Sequence, residues 1–225
     1  KDVVLSAFGS AGQRCSALRV LYVQDEIADR VIQLIKGMMR ELRIGNPQQL
    51  ETDIGPVIDS TAQSKLIDYI ETMKGMSIDF FQSEPSQELD KGTFVLPTML
   101  EINSIKQMEE EQFGPILHVV RYQSENLNQI VDDINSMKYG LTCGIHTRNI
   151  SLYESLARRL KIGNIYINRD HIGAVVGVNP FGGCGLSGTG PKAGGPSYLQ
   201  SFVTEKTITN NTAAIGGNID LLNNA

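Results

Sequence analysis

Cys15, in the run Phe8-Gly9-Ser10-Ala11-Gly12-Gln13-Arg14-Cys15-Ser16, is the side chain of this sequence best suited to covalent chemistry. A thiol is partly ionised near neutral pH, and a nearby cation or helix N-terminus makes it more so. Small neighbours leave room for a substrate carbonyl to reach the sulfur. Arg14 is next in sequence, but adjacent side chains diverge, so it carries little weight. A cysteine among small residues also serves as a buried filler. A second candidate is the acidic run Glu109-Glu110-Glu111 ahead of Gln112-Phe113-Gly114-Pro115, which alone reads as a solvated turn. A third is the glycine-rich stretch 182–195, which alone reads as a set of turns. A thiol hydrolase built on Cys15 needs a histidine. His118, His146 and His171 are the only ones, and none sits in a motif that marks it as a base.

The elements that must position these residues follow from periodicity. A helix over about 2–9 runs into the Gly12-Gln13-Arg14-Cys15 loop. Residues 18–24 alternate and read as a strand. Asp25 is expected to cap a helix over about 26–42, with Ile27, Val31, Leu34, Ile35 and Met38 on one face. Helices are also predicted at 60–74, 127–137 and 151–160, and strands at 78–81, 116–122, 142–146 and 164–168. Residues 83–91 read as a mobile polar hairpin, and 94–100 as an extended segment interrupted by Pro97. Residues 198–209 alternate and read as a late strand, an arm suited to pairing with another chain or domain. Strands alternating with helices predict an α/β fold: an open, three-layer, mostly parallel sheet with helices on both faces.

Composition narrows the classes. The 225 residues are 41% hydrophobic and 20% charged, an ordinary globular balance with length enough for a full core. A net charge of −5, without a basic stripe, argues against a nucleic-acid surface. Apolar runs such as 172–178 are too short to span a bilayer, and no signal-peptide pattern opens the chain. Three irregularly spaced cysteines suit a reducing compartment, and no His/Cys spacing suggests a metal. The chain begins at Lys1 on a helix already under way, which suggests a piece of a longer protein.

Taken together, Phe8-x-x-x-Gly12-Gln13-x-Cys15, then Glu111-Gln112-Phe113-Gly114-Pro115, then Asn168 with Pro180-Phe181-Gly182-Gly183 and Ser187-Gly188 resemble the signatures of the NAD(P)-dependent aldehyde dehydrogenases, in that family's order. The resemblance covers the whole chain as the C-terminal half of such an enzyme. It implies a catalytic domain over 1–197 and a terminal oligomerisation strand and tail over 198–225, with the nucleotide-binding domain absent. It makes Cys15 the nucleophile, with its backbone N–H as an oxyanion donor. It places Glu111 on the nicotinamide ribose hydroxyls and Phe113 beside the cofactor. The run 187–199, Ser-Gly-Thr-Gly-Pro-Lys-Ala-Gly-Gly-Pro-Ser-Tyr-Leu, is similar to the aldehyde-anchor loop of the L-glutamate γ-semialdehyde (Δ1-pyrroline-5-carboxylate) dehydrogenases. That implies Ser16, Gly194 and Gly195 on the substrate α-carboxylate and Phe202 against its aliphatic part. Glycine amides can cradle a carboxylate because no Cβ obstructs the approach.

Residues 204–209 and 212–218 resemble the C-terminus of bacterial bifunctional proline utilization flavoenzymes, which join proline dehydrogenase to the semialdehyde dehydrogenase. The implied cofactor is NAD, held mainly by the absent domain, with FAD confined to the proline dehydrogenase part of such a parent. The implied partners are glutamate semialdehyde and a second copy, as a dimer through the terminal strand, without metal or nucleic acid. The implied compartment is the cytoplasm, with a parent able to sit on a membrane through its flavin part. The family's Glu-Leu-Gly-Gly base motif is missing from this sequence, so the chain alone is expected to be inactive. Two rival readings remain: a cysteine hydrolase, and a non-catalytic oligomerisation module.

Overall fold

The computed structural model describes residues 1–85, 89 and 91–211. The first long element, α1 (Asp2–Phe8), runs into a 3₁₀ turn (Gly9–Gly12) and then β1 (Val20–Gln24). Next come α2 (Asp25–Arg40), α3 (Ser60–Lys74), β2 (Asp79–Gln82), β3 (Thr98–Glu101) and β4 (Ile116–Tyr122). The later half holds α4 (Leu127–Ser136), β5 (Tyr139–Gly140), β6 (Thr142–Ile145), α5 (Ile150–Arg159), β7 (Asn164–Ile167) and β8 (Cys184–Gly185).

The main sheet runs β1-β4-β3-β2. β1 and β3 flank β4 in parallel, and β2 joins β3 antiparallel at the far edge. β4 is central because it can be: five of its seven residues, from Ile116 through Val120, are buried, as a strand covered on both faces requires. The main core gathers Phe8 of α1, Ile32, Ile35 and Met39 of α2, Leu66, Ile70 and Met73 of α3, and the strands between them. β6 and β7 form a separate parallel pair with its own small core of Val131, Leu156 and Leu160. The fold is therefore α/β with mostly parallel strands, as expected, but the strands fall into three sheets, the third a short antiparallel pair of β5 with β8.

Local chemistry sets the helix ends. Asp59 accepts the Ala62 N–H at 2.7 Å and Asn149 that of Leu152 at 3.1 Å, starting α3 and α5. Asp25 does not cap α2 as expected. It is the first helical residue, and its carboxylate instead accepts from the Gln123 side chain at 2.9 Å and lies 3.6 Å from Arg121.

Between the two parallel units lies a cavity of about 510 Å³. Residues 18–22 line it on one side and residues 141–146 on the other. β1 pairs only with β4, and β6 only with β7, so each turns an unpaired edge toward this space.

The strand expected at 198–209 is not formed. Tyr198–Phe202 is a 3₁₀ turn, and residues 203–210 are exposed and form no strand among the described residues. Alternation describes two faces, but a strand exists only when a neighbour takes its amides and carbonyls. The hairpin expected at 83–91 and the resemblance over 212–218 fall wholly or partly outside the described residues. No helix of the described residues is long and apolar enough to cross a membrane.

Candidate active site

The Cys15 loop is built from three successive left-handed residues, Ser10, Ala11 and Gly12, with φ of 56°, 53° and 66°. Two of them are not glycine, a conformation that costs energy and persists only where surroundings enforce it. Gly12 shows what enforces it. A Cβ there would lie 2.0 Å from the Gly114 carbonyl oxygen, so only glycine permits the contact. The two motifs thus meet backbone to backbone at Gly12 and Gly114, 102 positions apart in the sequence. Gly114 in turn lies against Leu66 of α3, where a Cβ would come within 2.6 Å.

Gln13 does not face a substrate. Its Nε2 donates to the Pro56 carbonyl at 3.2 Å, and its Oε1 accepts the Ile58 N–H at 2.8 Å, clamping the loop to the segment before α3. Arg14 donates to Ser10 Oγ at 2.9 Å. Arg19, at the entrance to β1, donates to the Gly12 carbonyl at 2.6 Å and to the Arg14 carbonyl at 3.0 Å. Cys15 itself is exposed with a free thiol, and its N–H has no partner among the described residues.

Glu111 is joined to this loop through Arg19, whose Nε lies 3.3 Å from Glu111 Oε1. Phe113 is 46% exposed, with the Arg19 guanidinium 4.7 Å from its ring centroid. Cys15, Arg19 and Glu111 all line the 510 Å³ cavity. Ser16 is buried, and its carbonyl lies 3.4 Å from Thr142 Oγ1 of β6, which ties the loop to the second sheet.

The glycine-rich loop is held at its base. Phe181 and Ala193 exchange backbone hydrogen bonds of 3.0 and 2.9 Å. Lys192 Nζ donates to the Gly163 carbonyl and to Asn164 Oδ1, while Asn164 Nδ2 donates to the Pro180 carbonyl at 3.0 Å. Gly194 is left-handed, with φ of 69°, and its N–H is unpaired among the described residues. The Gly195 N–H is already committed, donating to the Lys192 carbonyl at 3.0 Å. Phe202 is 70% exposed beside Tyr198. Gly194, Gly195 and Phe202 do not line the cavity that Cys15 lines. Asn168, another motif residue, is left-handed and exchanges two side-chain bonds of 2.9 Å with the Thr147 backbone, a structural clasp.

No histidine hydrogen-bonds Cys15 among the described residues. His118 is wholly buried, with Tyr69 Oη 2.9 Å from Nε2 and the Arg19 carbonyl 2.9 Å from Nδ1. The carbonyl only accepts, so Nδ1 carries the proton and Nε2 accepts from Tyr69. Burial pulls His118 down to about 4, and His171 likewise to about 4. His146 is exposed and lies 3.2 Å from Asp2. Among the described residues no cluster of His, Cys, Asp and Glu could hold a metal ion.

Comparison with known proteins decides the family. Residues 1–208 match the aldehyde dehydrogenase family. The chain belongs to that family. It is 50% identical over 210 residues to the bifunctional protein PutA of Escherichia coli K12, covering 91% of this chain and 16% of that protein. It is 35% identical over 213 residues to the 1-pyrroline-5-carboxylate dehydrogenase of Anoxybacillus flavithermus, covering 93% and 40%. A crystal structure of a Bradyrhizobium japonicum Proline Utilization A (PutA) variant superposes with a TM-score of 0.87 at 52% identity, covering 94% of this chain and 21% of that one. A Thermus 1-pyrroline-5-carboxylate dehydrogenase with bound NAD gives 0.79 at 34% identity, covering 89% and 38%. The chain thus spans less than half the length of each of these relatives.

Of the residues expected at the site, Glu111 and Phe113 lie against Arg19, which also holds the Cys15 loop, whereas Gly194, Gly195 and Phe202 lie away from the cavity that Cys15 lines. Sequence reasoning missed Gln13 as a clamp, and Arg19, Asn164 and Lys192 altogether.

Proposed function

We propose that the polypeptide carrying this chain oxidises L-glutamate γ-semialdehyde to L-glutamate with NAD, a step of proline catabolism. The observation that carries this reading is the Gly12–Gly114 contact, which sets the Cys15 loop against the Glu111–Phe113 segment. The names of the relatives supply the substrate class.

The residues present fit the nicotinamide end of NAD. Glu111 has one oxygen on Arg19, while the other is unpaired among the described residues and suits a ribose diol. Phe113 offers an exposed ring beside it. When bound, NAD supplies the hydride acceptor that turns a Cys15 thiohemiacetal into a thioester. Cys15 Sγ adds to the aldehyde carbon, and the unpaired Cys15 N–H donates to the oxygen that becomes negative. Water then hydrolyses the thioester, freeing glutamate and the thiol.

For the substrate carboxylate, the Gly194 N–H is the available donor. Gly195 contributes by lacking a side chain: a Cβ would sit 3.0 Å from the Lys192 carbonyl and 3.4 Å from Pro180. Ser16 and Phe202 complete the proposed contacts. Residues 203–210, which form no strand here, are proposed to pair with a strand of a second subunit, giving a dimer. FAD belongs to the proline dehydrogenase part of a bifunctional parent, and the compartment proposed is the cytoplasm. A cysteine hydrolase is disfavoured because no histidine contacts the thiol.

Substrate selectivity tests the anchor. In the complete polypeptide, Gly195→Val should raise KM for glutamate semialdehyde by about tenfold or more, since a lost charge-assisted hydrogen bond is worth about 1.5–3 kcal/mol. KM for propanal, which has no carboxylate, should stay near that of the unmodified enzyme. Equal losses on both substrates would overturn the anchor, and an unmodified polypeptide that forms no NADH from the semialdehyde would overturn the function.

A further inference from the structure

Arg19 touches the Cys15 loop, Glu111 and Phe113 without a hydrogen bond to the thiol itself. Its side chain is 11% exposed. Nη1 and Nη2 hold the carbonyls of Gly12 and Arg14, on either side of Gln13 and just ahead of Cys15. Nε holds Glu111, and the guanidinium plane lies over Phe113. The residue is anchored from behind as well, since its own carbonyl lies 2.9 Å from Nδ1 of the buried His118. A planar fork of donors can satisfy two carbonyls and a carboxylate together, where an ammonium reaches them only as a point charge.

We propose that Arg19 is a positioning residue that fixes the thiol loop and the Glu111 carboxylate as one unit, so that nucleophile and cofactor contact are aligned together. This rests on Glu111 and Phe113 serving as the cofactor contacts. Arg19 acts through the loop and the carboxylate, not on the reacting atoms.

The proposal makes lysine and methionine behave differently. Lysine restores the charge beside Glu111 but not the two carbonyl bonds. In the complete polypeptide, Arg19→Lys should keep the NAD dissociation constant within about threefold while kcat falls by about tenfold to a hundredfold, because a displacement near 1 Å costs about a hundredfold in rate. Arg19→Met should lower kcat at least as far and also weaken NAD by about tenfold, as loss of a charge-assisted contact would. Hydrogen exchange in the 225-residue chain gives a readout independent of activity. In Arg19→Met, amides of 10–18 and 109–115 should exchange about tenfold faster, while β3 and β4 keep their protection.

A purely structural arginine would behave otherwise: both variants would lose kcat and NAD affinity in the same proportion, with β4 deprotected too. That result overturns the proposal, as does Arg19→Met matching the unmodified enzyme. If the unmodified polypeptide forms no NADH, the dehydrogenase reading falls, and the exchange arm alone still decides whether Arg19 holds both loops.

Discussion

At the scale of single residues, the three cysteines are sorted by surroundings. Cys15 is exposed on a loop whose backbone is forced into left-handed geometry, whereas Cys143 lies within β6, where burial pushes its thiol up to about 11. Near neutral pH a thiol of that kind is ionised in only about one molecule in ten thousand, and the thiolate is what reacts. Iodoacetamide on the folded chain, followed by peptide mass analysis, should therefore modify Cys15 first and leave Cys143 intact until denaturant is added. Modification of Cys143 at the rate of Cys15 would show that β6 is not packed as described. Cys15 was legible in the sequence because small neighbours and a Gly-Gln lead are local features. Arg19 and Gln13 were not, because their partners lie up to 92 positions away and nothing local marks a side chain that binds a distant main chain.

At the scale of elements, the same distinction holds. α3 was read to the residue, 60–74, because Asp59 caps it and its apolar spacing is helical. β4 was read over 116–122 because its buried stretch Ile116–Val120 is apolar but for His118, as a strand covered on both faces requires. The two-residue strands β5 and β8 carried no such pattern: they exist because Tyr139 and Gly140 meet Gly185 and Cys184 in space. Residues 198–209 failed in the opposite direction, having a strand's alternation and no neighbour to pair with. Strand position also predicts dynamics. β4 is paired on both sides, whereas β1 and β6 each leave one edge open to the central cavity. Hydrogen exchange should run fastest in those amides of β1 and β6 that face the cavity, and slowest in β4. Equal protection across the three strands would mean that the two sheets close onto one another in solution.

At the scale of the whole molecule, two buried histidines are expected to make stability depend on pH. His118 and His171 are each held near 4 by burial, below the ordinary value of 6.5. A lowered folded-state value means that the unfolded chain binds more protons between about pH 6.5 and 4, so stability is present above 6.5 and is lost as pH falls through that window. For His118, wholly buried, the difference amounts to about 3 kcal/mol at the acid end. Urea midpoints should fall between pH 7 and pH 5, and His118→Gln, which removes this titration, should flatten the profile even as it lowers stability overall. An unchanged slope in His118→Gln would move the acid sensitivity elsewhere.

All three scales meet in the proposed role of Cys15: a loop locked by Gly12 against Gly114 is proposed to present it as the nucleophile of an NAD-dependent aldehyde oxidation in the complete polypeptide. The most direct test is NADH formation from L-glutamate γ-semialdehyde by the complete polypeptide, comparing Cys15→Ala with Cys184→Ser. Cys15→Ala should abolish NADH formation while NAD still binds, and Cys184→Ser, whose sulfur meets only backbone carbonyls, those of Lys161 at 2.8 Å and Gly140 at 3.7 Å, should keep most of it. Retained oxidation in Cys15→Ala, or equal loss in both variants, would contradict the account.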